Sequence, residues 1–178
     1  RQRLLDAGVD PYPISIGRTH TINEIVTTHN AEELGPDHRS GTIATIAGRI
    51  IFQRNTGKLC FVRLREGDGS EIQAMLSLAE VGEEALDSYK QLVDIGDHLA
   101  VTGEVITSRR GELSVMATEW KLAAKTLRPL PNEHKPLSEE ARARMRYVDL
   151  IVRPKARDNV RAKAAVLKSL RATLDDHG

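Results

Sequence analysis

A small set of residues between positions 49 and 112 carries the chemistry legible in this chain. Phe61 offers a flat π-surface, Arg49, Arg54 and Arg63 offer cations, Gln73 offers an amide and Glu112 a carboxylate. An aromatic ring among guanidinium groups, with an amide and a carboxylate in reach, suits an unpaired base: the ring stacks, a cation meets the phosphate, and the polar groups meet the base edge. That points to single-stranded nucleic acid. It works only if these side chains share one solvent-facing surface, and that is a question about strands.

From Thr42 the apolar period becomes two, which fixes side-chain faces by parity. Ala44, Ile46, Gly48, Ile50 and Phe52 are expected on the inward face of a first strand, with Thr45 and Arg49 outward. A second strand puts Cys60, Val62 and Leu64 inward and Leu59, Phe61, Arg63 and Arg65 outward; a third puts Ile72, Ala74 and Leu76 inward and Glu71, Gln73 and Met75 outward. Asn55-Thr56-Gly57 and Gly67-Asp68-Gly69 supply the turns. The spacing from Val81 to Val93 predicts a helix stopped at Gly96. Leu99, Val101, Gly103 and Val105 then alternate inward, and Arg109-Arg110-Gly111 turns into a fifth strand with Leu113, Val115 and Ala117 inward, Glu112 and Ser114 outward. Five strands with a helix between the third and fourth is the connectivity of an OB barrel, whose second and third strands commonly carry the ligand. The fold class read here is mainly β with helices. Phe61 could instead lie under the N-terminal segment or a partner subunit; the company of Arg63, Gln73 and Glu112 favours the open face.

On either side of the barrel pattern the signals are helical. Residues 1 to 8 read as a helix end with Gly8 as its stop, Asp10-Pro11-Tyr12-Pro13 forces an extended path, and Thr21 with Glu24 is a capping box for a short helix carrying Ile22, Ile25 and Val26. Leu127-Arg128-Pro129-Leu130-Pro131 reads as a stiff linker. Ser138 caps a charged helix, and Arg146 to Leu150 leads past Pro154 to a long helix, roughly Asp158 to Asp175, striped by Val160, Ala164, Leu167, Leu170 and Leu174. A small barrel gives that stripe nothing to bury against, so it is expected to serve a second domain or a dimer interface.

Composition narrows the classes. Lys and Arg number 26 against 25 Asp and Glu, so net charge by itself selects no partner, although arginines and lysines crowd the last quarter. The lone Cys60 excludes an internal disulfide and suits a reducing, cytoplasmic setting. Parity turns Cys60 inward, which makes it a core thiol. The histidines, His20, His29, His98 and His134 among them, lack paired metal-ligand spacing, and no helix or Lys follows Gly67-Asp68-Gly69-Ser70 to make a phosphate cradle. Neither catalytic nor metal residues are expected. The chain starts at Arg1 without an initiator Met and ends directly behind a helical pattern, and it reads as a piece of a longer protein.

The segments IAGRIIFQRNTGKLCFVRLREGDGSEIQ, GELSVMATEW with LRPLP, and RMRYVDLIVRPKARDNVRAKAAVLKSLR give the chain a resemblance to the class II lysyl-tRNA synthetases, of the actinobacterial type. The resemblance implies that the barrel binds the tRNA(Lys) anticodon loop, with Phe61 stacking on the central uridine, Gln73 and Glu112 contacting the same base, and Arg54, from the Gln53–Arg54 pair, assisting. Arg49 and Arg63 are then expected at phosphates. It implies an N-terminal helical preamble (1–40), an OB-fold anticodon-binding domain (41–124), a linker (125–137) and the start of a class II catalytic and dimerisation domain (138–178). The first motif's helix is present, but its following strand is absent, as are the second and third motifs, which in this family hold ATP, Mg²⁺ and the aminoacyl-adenylate. The chain is therefore expected to bind tRNA without activating lysine; ATP, Mg²⁺ and homodimer formation through the C-terminal helix belong to the full-length enzyme. Two rival readings remain: the synthetase-like part of a lysyl-phosphatidylglycerol biosynthesis fusion protein, and a non-enzymatic single-strand-binding OB module.

Overall fold

The computed structural model describes residues 1–131 and 137–178, so His134 and part of the predicted linker lie outside the described residues. The chain divides into two compact units, Arg1–Pro129 and Leu130–Gly178. Among the described residues no helix is long and apolar enough to cross a membrane.

In the first unit, strands β1 (Arg39–Asn55), β2 (Leu59–Arg65), β3 (Glu71–Ser77), β4 (His98–Thr107) and β5 (Leu113–Ala124) form a closed barrel in the order β1-β2-β3-β5-β4. The β3–β5 ladder is parallel and the others are antiparallel. Closure removes both sheet edges, and it is possible because β1 is 17 residues long and pairs with β4 through its first half and β2 through its second. Parity holds for most of the core: Ala44, Ile46, Ile50, Cys60, Val62, Leu64, Ile72, Ala74, Leu76, Leu99, Val101, Val105, Val115 and Ala117 are all buried. Asn55 and Asp68 make the expected Asx bonds, accepting from the amides of Gly57 and Ser70, each at 2.8 Å.

Helices close the barrel. α1 (Gln2–Asp6) ends in a Schellman motif, with Gly8 N–H donating to Leu5 O at 3.0 Å and Val9 N–H to Leu4 O at 2.9 Å, and it buries Leu4. α2 (Ile22–Thr28) opens with the predicted capping box and buries Ile22 and Ile25, while Val26 stays exposed. The Glu66 carboxylate accepts from the Ile22 amide at 2.7 Å, which fixes the start of α2 to the β2–β3 turn. A short α3 (Ala31–Leu34), not anticipated from periodicity, is capped by Asn30. The helix expected as one piece from Val81 is two, α4 (Leu78–Val81) and α5 (Glu83–Leu92), because Gly82 at φ 83° breaks the ladder. α5 buries Leu86 and Tyr89, and the Tyr89 ring meets Trp120 edge-on at 5.7 Å.

Three strand residues depart from parity. Phe52, expected inward, is 53% exposed, because the β1–β2 register slips by one residue between Ile50 and Phe52 and reverses the faces beyond it. Met75 and Ser114, expected outward, are buried. Ser114 accepts from the Gln73 amide opposite it, and Met75 stands between Phe61 on β2 and Met116 on β5.

The bulge has an identifiable support. Ile50 N–H donates to Asp97 O, and Gly96 N–H donates to Ile50 O, both at 2.8 Å, so the segment ahead of β4 satisfies β1 where the ladder shifts. Asp97 is fully buried; its carboxylate accepts from Lys125 Nζ at 2.7 Å and from the amides of Asp94 and Thr126, each at 2.8 Å. Truncating Asp97 would leave these donors unsatisfied in the interior.

In the second unit, α6 (Glu139–Arg144) is capped by Ser138, α7 spans Arg146–Val152 and α8 spans Pro154–His177. The long helix thus begins at Pro154 itself, earlier than expected, since a proline lacks only an N–H that the first helical position leaves unpaired anyway. The stretch after Arg146, read as a lead-in, is helical. Asp149 is buried and binds Arg153 at 2.7 and 3.1 Å and Arg146 at 2.5 Å. Those arginine hydrogen bonds and charges hold its carboxyl below the usual range against the opposing effect of burial.

Two outcomes follow for the barrel. A Cβ on Gly103 would lie 1.9 Å from the Met116 carbonyl oxygen, so Gly103→Ala should destabilise the barrel by about 3 kcal/mol or more in urea unfolding. Burial, aided by the neighbouring Arg49 charge and opposed by Asp97, holds the His98 imidazole below its ordinary pKa. The unfolded chain therefore takes up a proton that the folded one refuses once pH falls through about 6.5. Stability is complete above that value and is lost below it, so the melting temperature should drop between about pH 7.5 and about pH 5.5, and less so in His98→Asn.

Candidate nucleic-acid interface

The slipped register sets out two adjacent rows of outward residues across the barrel wall. Phe52 faces Arg63, Arg63 faces Gln73 and Gln73 faces Ser114; two residues along, Arg54 faces Phe61, Phe61 faces Met75 and Met75 faces Met116. The sequence-predicted residues Arg54, Phe61, Arg63, Gln73 and Glu112 are thus brought onto one surface.

Each polar group on that surface has a defined partner. The Arg54 guanidinium lies over the Phe61 ring, 4.8 Å from its centroid, and among the described residues it pairs with no carboxylate. Gln53, its neighbour in sequence, falls on the other face, where its side-chain oxygen accepts from the Tyr89 hydroxyl at 2.8 Å. Arg63 forms an ion pair with Glu112, both side chains a little over two-fifths exposed, and reaches Glu71 at 4.0 Å. Ser114 donates its hydroxyl proton to the Glu112 carbonyl at 3.0 Å, so toward Gln73 it can only accept. That fixes the Gln73 amide: Nε2 donates to Ser114 Oγ at 2.9 Å, and among the described residues Oε1 keeps its acceptor capacity free.

Arg49 stands one row further along the same outward face, opposite Arg65, and is less free than the others. It lies before the bulge, half-buried, and donates to the Gly96 carbonyl at 2.9 Å; burial lowers its pKa, against the pull of Asp97. The group that the alternation rule misplaced is Phe52. The available signal was the run Ile50-Ile51-Phe52, where consecutive apolar residues leave the phase of the alternation open and a bulge is one way to shift it.

What the surface can do is bind. A ring, a mobile cation beside it, a donor–acceptor amide and a carboxylate can stack a base and discriminate its edge, but no nucleophile with an adjacent base accompanies them. Cys60 is buried, and burial raises its thiol pKa. Among the described residues no three or more His, Cys, Asp or Glu are grouped to hold a metal ion. A hollow of about 780 Å³ between residues 9–16 and Trp120 lies away from these rows, and Glu83, Glu84 and Glu119 on its lining would repel a phosphate backbone.

Residues 44–123 match the family described as OB-fold nucleic acid binding domain. Over all 178 residues the chain is 53% identical to a lysine–tRNA ligase of Mycolicibacterium gilvum and 51% identical to one of Kineococcus radiotolerans, covering 35% of each. It is 38% identical over 176 residues, 98% of the chain, to the lysylphosphatidylglycerol biosynthesis bifunctional protein LysX of Rhodococcus opacus, covering 15% of that protein. The chain spans about a third of the length of the lysine–tRNA ligases it matches. Sequence and topology agree on the fold: residues 44–123 form an OB-fold barrel similar to that nucleic acid binding family, and the whole chain is similar in sequence to the lysine–tRNA ligases.

Proposed function

We propose that this chain is the anticodon-reading part of a lysine–tRNA ligase and that the Phe61 surface receives the central uridine of the tRNA(Lys) anticodon. The observation that carries the reading is the joint presence of Phe61, Arg54, Gln73 and Glu112 on one open wall of an OB barrel. Uracil presents one N–H between two carbonyl oxygens. A carboxylate or the free Gln73 oxygen can accept from that N–H, while the second N–H of the Gln73 amide can donate to a flanking carbonyl, which leaves Arg63 for phosphate. Cytosine, with an acceptor at the same ring position, would set acceptor against acceptor.

Arg54 has to move for this to happen. A stacked base needs roughly 3.4 Å on each of its faces, and 4.8 Å between ring and guanidinium leaves no room for one. Arg54 therefore rises to cap the base or swings to its phosphate, and until then it covers the ring from water.

The activity of the whole enzyme, joining lysine to tRNA with ATP and Mg²⁺ in the cytoplasm, is attributed to the lengths of the relatives that this chain does not span. The described residues hold no carboxylate cluster suited to Mg²⁺, and none is assigned to ATP. The exposed stripe of Val166, Leu167, Leu170 and Leu174 on α8 supports pairing of two copies there. Lower identity and smaller coverage make the bifunctional LysX the weaker analogue.

Phe61→Ala should weaken binding of a UUU anticodon stem-loop by about 1–3 kcal/mol, measured by fluorescence anisotropy; unchanged affinity would remove the stacking role. Changing the central base should weaken it as well. Equal binding of the two stem-loops would favour a barrel that holds single strands without sequence preference. Because the Arg63–Glu112 pair is exposed, Glu112→Gln should change urea stability by less than about 1 kcal/mol while reducing discrimination between uridine and cytidine at the central position.

A further inference from the structure

The chain contains two phenylalanines, and neither enters its core. Phe61 is accounted for by the reading above. Phe52 is not: it is 53% exposed on the same surface, although burial of such a side chain would stabilise the fold. Its exposure is built in, since the register shift after Ile50, pinned by Gly96 and Asp97, is what turns it out.

Its surroundings select the kind of partner. Phe52 stands directly across from Arg63 and two residues before Arg54 on the same face of β1, which makes it the diagonal neighbour of Phe61. Diagonal positions in an antiparallel pair lie about 7–8 Å apart, too far for both rings to stack on one base. One step of an extended single strand, its bases no longer piled at about 3.4 Å, covers that distance. The two guanidinium groups lie along the same path, where the intervening phosphate would run. A protein partner would be expected to cover an apolar patch, whereas a single ring bracketed by two arginines suits a π-face followed by an anion.

We propose that Phe52 is a second stacking position, occupied by the nucleotide next to the one on Phe61, with Arg54 and Arg63 meeting the phosphate between them. It rests on the reading of Phe61 as the first position. Phe52 contributes affinity and holds the loop splayed, without reading base identity, because every base has a π-face.

The test uses the whole chain and UUU anticodon stem-loops in which the central, 5′-flanking or 3′-flanking nucleotide is abasic, with affinity read by fluorescence anisotropy. Phe52→Leu keeps an apolar side chain and removes the ring. It should weaken binding of the intact stem-loop about five- to a hundredfold, and Phe52→Trp should restore it. In Phe52→Leu one flanking abasic substitution should have lost its effect, while the central one keeps its own; in Phe61→Leu the pattern reverses. Thermal melts of each variant separate loss of binding from loss of folding, and the exposed Phe52 should tolerate leucine. If Phe61→Leu weakens binding and Phe52→Leu does not, or if the Phe52 and flanking-abasic effects simply multiply, the second position is overturned and the first stands. If Phe61→Leu leaves affinity unchanged, the underlying reading fails first.

Discussion

One extra residue in β1 decides the outer surface of this barrel. Up to Ile50 the strand alternates with β4 and buries Ala44, Ile46 and Ile50; beyond it the same strand is out of phase, so Phe52 and Arg54 face water while Gln53 turns toward α5. A strand that must serve two neighbours in a closed barrel has to bend sharply between them, and a bulge is the local means of doing so. Here the bend coincides with the place where Phe52 and Arg54 turn outward. Curvature required for closure and the placement of Arg54 over Phe61 have a single cause.

That arrangement would be weak without support from behind. Asp97, buried and bonded to Lys125 and to the amides of Asp94 and Thr126, holds the segment whose Gly96 and Asp97 backbone groups satisfy Ile50. Tyr89 adds a second brace by holding Gln53, and α5 carries Tyr89 against Trp120. On the surface itself Glu112 and Ser114 pre-order Arg63 and Gln73, which lowers the side-chain freedom that any ligand there would have to freeze. Positioning residues and contacting residues are separate sets, joined through backbone hydrogen bonds.

The second unit is organised differently. Asp149 draws Arg146 and Arg153 onto one carboxylate, and Arg157 donates to the carbonyls of Leu150 and Ile151, which stops α7 and starts α8 within a few residues. Past that point α8 carries Val166, Leu167, Leu170 and Leu174 exposed. Such a stripe is a surface made for burial.

Much of the fold was legible because its signals are local. The Thr21–Glu24 capping box, the Gly8 stop, the Asx turns at Asn55 and Asp68 and the inward set Cys60, Val62 and Leu64 each depend on a few consecutive residues, and the five-strand order with its intervening helix follows from them. Parity also placed Phe61, Gln73 and Glu112 on a common face. What the residues in order could not supply was the phase of β1 after Ile50, the burial of Ser114 and Met75, or the turning of Gln53 toward Tyr89 while Arg54 faces out. Those depend on which residue of β2 stands opposite, on which residues of β3 and β5 pair, and on an aspartate 47 residues beyond Ile50 reaching a lysine 28 residues further on. Alternation fixes faces only while the register is unbroken. A register is a relation between strands, so Phe52 took its place on the outer wall only when the barrel closed.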